Sequence, residues 1–176
     1  MKWPKILGII ALVLGILGFL QSAASPLSLY FVDTQMELLI QQGADTDKVA
    51  DYMGQMKSIS TVSAIAMGVV SLVLLTGGIL LLKRNPKAPI FLQVWGVLKI
   101  LAGGYFSFRS MALTRVQMDL MMEMNGGGSE AEMMQKVTDY AVFGGMIFGL
   151  LWLAALPVFF LIWFGREPVK QEIAKW

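Results

Sequence analysis

Four apolar runs, Ile6–Leu20, Val62–Leu82, Ile90–Phe108 and Ala141–Phe164, constrain this chain more than anything else in it. A helix needs about 20 mostly apolar residues to cross the hydrocarbon of a bilayer. In lipid every backbone N–H and C=O must be satisfied within the span, which leaves helices or closed barrels. Uninterrupted apolar runs, with no alternation between apolar and polar residues, select helices. The first run is the shortest, and the third carries Lys99. Composition agrees: 56% of residues are hydrophobic and 15% charged, whereas a soluble domain holds about half and about a quarter.

The first run also resembles a secretory leader, with Lys2 and Lys5 before it and the small residues Ser22, Ala23 and Ala24 after it. An internal repeat argues for an uncleaved span instead. Proline recurs at positions 4, 86 and 168, a spacing of 82 both times. The same offset lays Gln35-Met36-Glu37-Leu38 on Gln117-Met118-Asp119-Leu120, Ser25 on Ser107, and Ser28 on Ser110. Self-similarity at a fixed period marks a repeated structural unit. The expected fold is therefore an all-α integral membrane protein with four transmembrane helices, built as two parallel helical-hairpin repeats, 1–82 and 83–164, and a tail 165–176. In the first repeat, membrane helices fall at about 5–24 and 61–82, with external helices at about 33–60. In the second they fall at about 90–108 and 141–164, with external helices at about 110–139.

Short flanks rich in Lys and Arg stay cytoplasmic. Lys2 and Lys5, then Lys83, Arg84 and Lys87, then Arg166, Lys170 and Lys175 flank the spans on one side. Residues 33–58 hold five acids against Lys48 and Lys57, a net of −3, and 109–139 hold five against three basic residues, a net of −2. Both termini are thus expected in the cytoplasm, in a multi-pass protein of the cell (inner or plasma) membrane. The formal net charge of +2 reflects topology, and no nucleic-acid partner is expected. Trp3, Trp163 and Trp176 would mark the inner boundary, and Tyr30, Tyr52 and Tyr140 the outer one.

The external segments read as helical. In the first repeat, Pro26 is expected to interrupt the outgoing helix. Asp33 or Thr34 would cap a segment ending at Gln42, with Gly43 as the C-terminal stop. Asp45 or Thr46 would cap a second helix bearing the stripe Val49, Tyr52, Met53, Met56 and Ile59, which continues into the second span. In the second repeat the outgoing helix is expected to be continuous from about 90 to 124. Ser129 and Glu132 form a capping box before a stripe of Met133, Met134, Val137, Tyr140 and Ala141. Pro157 is expected to kink the fourth span.

Chemistry is scarce. The chain has no cysteine and no histidine, so thiolate chemistry and the usual neutral-pH acid–base group are missing. Lys99 and Ser107 are eight residues apart on one helix, about 12 Å by rise, too far for a Ser–Lys pair. The glycine turn Asn125-Gly-Gly-Gly-Ser129 lacks the lysine of a phosphate loop. No enzyme, catalytic residue or cofactor is expected. Met118, Met121 and Met122 could offer soft thioether ligands to Cu(I). Their counterparts at the repeat offset, Met36, Leu39 and Ile40, are one methionine and two plain aliphatics, so packing along a helical seam is the preferred reading.

Lys99 lies ten residues from Pro89 and ten from Arg109, about 15 Å from either end of its span. No span carries an interior carboxylate, so snorkelling, a neutral amine, a water-filled cavity, or a carboxylate on another protein are the readings open to it. Small residues suit close helix approach in lipid. They line the first span at Gly8, Ala11, Gly15, Gly18 and Ser22, the second at Ala64, Gly68, Ser71 and Gly78, and the third at Gly96, Gly103 and Ser107. On the fourth, Ala141, Gly145 and Gly149 recur every four residues and are the candidate face for a second subunit. The four-span plan is similar in outline to claudins and tetraspanins, without their extracellular cysteines. The expected function is a non-catalytic oligomeric scaffold or accessory subunit of a membrane complex, with the bilayer and itself or another membrane protein as partners. The alternative is a homo-oligomeric channel or transporter subunit with Lys99 near the path.

Overall fold

A computed structural model describes residues 3–41, 45–124 and 129–176. It is all-helical among the described residues: α1 is Trp3–Gln41, α2 Thr46–Leu82, α3 Ala88–Met124, α4 Ser129–Gly165, and α5 Glu167–Ile173. Four stretches are long and apolar enough to cross a membrane: Trp3–Ser25, Thr46–Leu82, Ala88–Met118 and Phe143–Gly165. Only 18–33% of the most apolar window in each is buried. Helices with that much apolar surface uncovered require lipid or another protein around them.

Two of the expected breaks do not occur. α1 runs without interruption through Pro26, and no new helix starts at Asp33 or Thr34. A proline inside a helix removes one N–H donor, and a full break would free several more backbone groups. Gln42 and Gly43 lie outside the described residues. The expected start of α2 is present: the Asp45 carboxylate accepts from the N–H groups of Asp47 at 2.9 Å and Lys48 at 3.4 Å, which is an N-cap. From there α2 continues unbroken to Leu82, as α3 does from Ala88 to Met124. α4 stays helical through Pro157, which is fully buried.

α2 ends in a Schellman stop. The Arg84 N–H donates to the Leu81 carbonyl at 3.1 Å and that of Asn85 to Leu80 at 2.9 Å. This places Arg84 at φ 52, the left-handed position where glycine is the usual occupant. An L side chain there costs about 1 kcal/mol.

The chain divides into two compact units. Unit 1 comprises 1–23, 64–103 and 151–176. In it, α1 and α2 touch through glycine. A Cβ added at Gly78 would lie 3.1 Å from the Gly8 carbonyl oxygen and 3.1 Å from the Ala11 Cβ. One added at Gly18 would meet the Ser71 hydroxyl at 2.6 Å. Gly77 faces Leu92 of α3, Gly96 faces Pro157 of α4, and Gly103 faces Leu153. Trp95 packs edge-on to Phe160 at 5.7 Å. α5, which the tail's sequence was not expected to form, buries Val169 and Ile173 in the same cluster as Leu7, Leu81, Ala88 and Phe164.

Unit 2 comprises 24–63 and 104–150. Its core is Val49 and Tyr52 of α2 with Leu113 and Leu120 of α3, flanked by Met53, Met56 and Ile59. The expected α2 stripe is thus the one buried. The Tyr52 hydroxyl donates to Gln117 Oε1 at 3.3 Å. Tyr52 is therefore a core residue of this unit. The α4 stripe is not buried where it is described: Val137 is 61% and Tyr140 79% exposed. Among the described residues, α2 covers the apolar side of α3 at Leu113 and Leu120. The side chains of Met133, Met134 and Ala141, and the capping box at Ser129 and Glu132, lie outside the described residues.

Candidate functional site

Three places carry the functional residues expected from the sequence. The first is Lys99, half-buried on α3. Its Nζ lies 3.8 Å from the Met67 thioether of α2. Sulfur is a weak acceptor, and no carboxylate is paired with Lys99 among the described residues. Lys99 is four residues from Gly103 and three from Gly96, which places it beside the glycines that seat α3 against α4. It lies within a close-packed part of unit 1.

The second is the small-residue face of α4. A Cβ added at Gly144, Gly145 or Gly149 would meet nothing within 4 Å. Ala141 is helical, but its side chain lies outside the described residues. Gly8, Gly15, Gly18, Gly77, Gly78, Gly96 and Gly103 each have a neighbouring helix pressed against them. The same residue type therefore serves two environments in this chain.

The third is the methionine segment of α3. Met118 is half-buried; the side chains of Met121 and Met122 lie outside the described residues. The buried row of α3 beside Met118 is Leu113, Gln117 and Leu120, at the helical spacing of i, i+4 and i+7.

One further cluster was only partly visible in the sequence. Trp3, Trp163 and Trp176, expected at one boundary, do come together in unit 1. Trp3 lies 6.2 Å from Trp163 and 5.7 Å from Trp176 by ring centroids, and Phe159 stacks on Trp163 at 5.6 Å. The Trp3 indole N–H donates to Glu172 of α5 at 2.7 Å, so the first turn of α1 holds the last turn of α5. The Arg166 guanidinium sits over the Trp163 ring, 5.6 Å from its centroid, in cation–π range. Trp163 Nε1 is buried and has no acceptor. A sequence signal for α5 exists: Pro168 in the first turn, then Val169 and Ile173 on one face at i, i+4. The Trp3–Glu172 bond spans 169 residues, and no local pattern announces it. The chain matches no protein-family model, no curated protein and no solved structure.

Proposed function

We propose that this chain is a non-catalytic four-span membrane protein that acts as an oligomeric scaffold or accessory subunit, docking through the Ala141/Gly145/Gly149 face of α4. The observation that carries this reading is the contrast between glycines. In lipid, helices associate through close backbone approach at small residues, because lipid tails are as apolar as leucine. Seven glycines of unit 1 are filled in that way by a neighbour within the chain. Those of α4 at 144, 145 and 149 are open, as are Gly54, Gly104 and Gly165; Gly145 and Gly149 are set apart by recurring at i, i+4 in one helix, the spacing that admits a helix from another chain.

In this reading both termini are cytoplasmic, the chain sits in the cell (inner or plasma) membrane, and unit 2 projects outside. The two hairpins are copies of one ancestor. Helix ends support the duplication: Gln41 and Met124, Thr46 and Ser129, and Leu82 and Gly165 each differ by 83. That is within one residue of the proline spacing of 82. Charge supports the orientation, since the basic residues gather in unit 1 and the acidic segments in the other.

The absence of cysteine from the chain makes the test clean. Gly149→Cys, alone in the protein, should form a disulfide-linked dimer on mild oxidation in native membranes. Gly149→Leu should lower the oligomeric fraction roughly tenfold, the weight of about 1.4 kcal/mol, without loss of folding. Gly78→Leu is the control, because its side chain meets backbone and should unfold the chain instead. A Gly149→Leu protein that keeps the wild-type oligomer, or a wild type that is monomeric and co-purifies with nothing, refutes the docking face.

A further inference from the structure

Around the tryptophan cluster of unit 1 the cations are in excess. Lys5, Lys83, Arg84, Lys87, Arg166 and Lys175 are exposed, and none is ion-paired among the described residues. Of the two carboxylates of α5, Glu167 pairs with Lys170 at 2.9 Å and Glu172 accepts from the neutral Trp3 indole at 2.7 Å, so the cations outnumber the acids at this cluster. The loop that carries Lys83, Arg84 and Lys87 is flanked by Leu81 and Ala88, which belong to the same buried cluster as Phe164, Val169 and Ile173. The loop and the α4–α5 junction at Arg166 therefore share one end of this unit.

Two features go beyond a positive surface. Arg84 occupies a left-handed position, φ 52, that glycine would fill without strain. Backbone strain held by a long charged side chain points to a use for that side chain. Arg166 is held in place by the Trp163 ring beneath it, 5.6 Å from guanidinium to ring centroid, so this cation is positioned at the tryptophan cluster.

We propose that this end of unit 1 binds the headgroup of an anionic phospholipid, with Arg84, Lys87 and Arg166 supplying the cations. Guanidinium groups pair with phosphate oxygens in a fixed fork. Clustered Lys and Arg beside the end of a membrane helix attract anionic lipid. A lipid is favoured over a soluble anion by position. The cations surround Trp3, Trp163 and Trp176, residues that settle at headgroup level, where phosphodiesters are concentrated. The inference stands whether or not the chain self-associates through α4.

The test uses the full chain in nanodiscs of phosphatidylcholine alone or mixed with phosphatidylglycerol. The readouts are the thermal unfolding midpoint and native mass spectrometry of retained lipid after detergent extraction. Wild type should melt higher with phosphatidylglycerol and retain it. Each neutralised cation among Arg84→Gly, Lys87→Gln and Arg166→Gln should weaken that preference about fivefold. Arg84→Gly is the decisive variant. It should melt as high as wild type or higher in phosphatidylcholine, because the strain is gone, while losing phosphatidylglycerol preference. An unchanged preference in Arg84→Gly overturns the assignment. So does equal stabilisation by both lipids, or equal stabilisation by inorganic phosphate, which would make the ligand a soluble anion.

Discussion

Lys99 is the residue whose setting departs furthest from its chemistry. An ammonium within a membrane-length helix costs a few kcal/mol by insertion scales, and its near neighbour here is the Met67 sulfur at 3.8 Å. A thioether repays little of that cost. The sequence located the charge and the lack of an interior carboxylate, but not the sulfur, because Met67 is 32 residues away on another helix. The expected outcome for Lys99→Leu is a protein that still inserts but assembles or functions less well. Membrane fractionation checks the first part, and the oligomeric fraction together with ion flux in proteoliposomes checks the second. Lost assembly with no wild-type flux supports a scaffold. A flux that disappears with the substitution supports the channel alternative. Unchanged assembly and flux would leave Lys99 without a special role.

At the scale of elements, the helices divide by how they are held. In unit 1, beside the aromatic and aliphatic cluster, seven glycines meet side chain or backbone of a neighbouring helix, the packing that works where lipid competes equally for apolar surface. In unit 2 they are larger side chains, Val49, Tyr52, Leu113 and Leu120, with one hydroxyl bonded to Gln117. That pattern suits a water-facing segment, where burial of each large side chain contributes roughly 1.5–3 kcal/mol. Tyr52→Phe should lose about 1 kcal/mol by removing the hydrogen bond, and Tyr52→Ala about 3–5 kcal/mol by leaving a cavity. Hydrogen exchange at the amides of 46–60 and 110–120 should report both losses. Equal protection in Tyr52→Ala and wild type would mean that this cluster does not hold the unit together. The stripe on α2 was legible because its 3.6-residue spacing is a local property. Its partner on α3 was not legible, because spacing on one helix does not say which neighbour it packs against; of the comparable α4 stripe, Val137 and Tyr140 are exposed.

For the whole molecule, the orientation proposed from charge is open to a direct measurement. The chain has no cysteine, so single cysteines at exposed positions report sidedness. On intact cells, Gln55→Cys should react with a membrane-impermeant maleimide, and Lys87→Cys should react only after permeabilisation. The reverse pattern would invert the topology and move the basic, tryptophan-lined end to the outside.

The sequence by itself determined that the chain is helical, that four of its helices can cross a bilayer, and where three of them begin or end. Those are consequences of apolar run length, of the Asp45 cap, and of the basic, proline-containing segments that separate the runs at 83–87 and 166–168. It also grouped Trp3, Trp163 and Trp176, which the structure brings together in unit 1. The tertiary structure alone decided which glycines are filled and which stay open, that Trp3 holds α5 through Glu172, that Arg84 sits in a left-handed turn, and that Lys99 meets Met67. Each depends on which helix lies beside which. In a chain whose helices are apolar on nearly every side, hydrophobic pattern carries almost no information about neighbours, and close contact at small residues makes the choice.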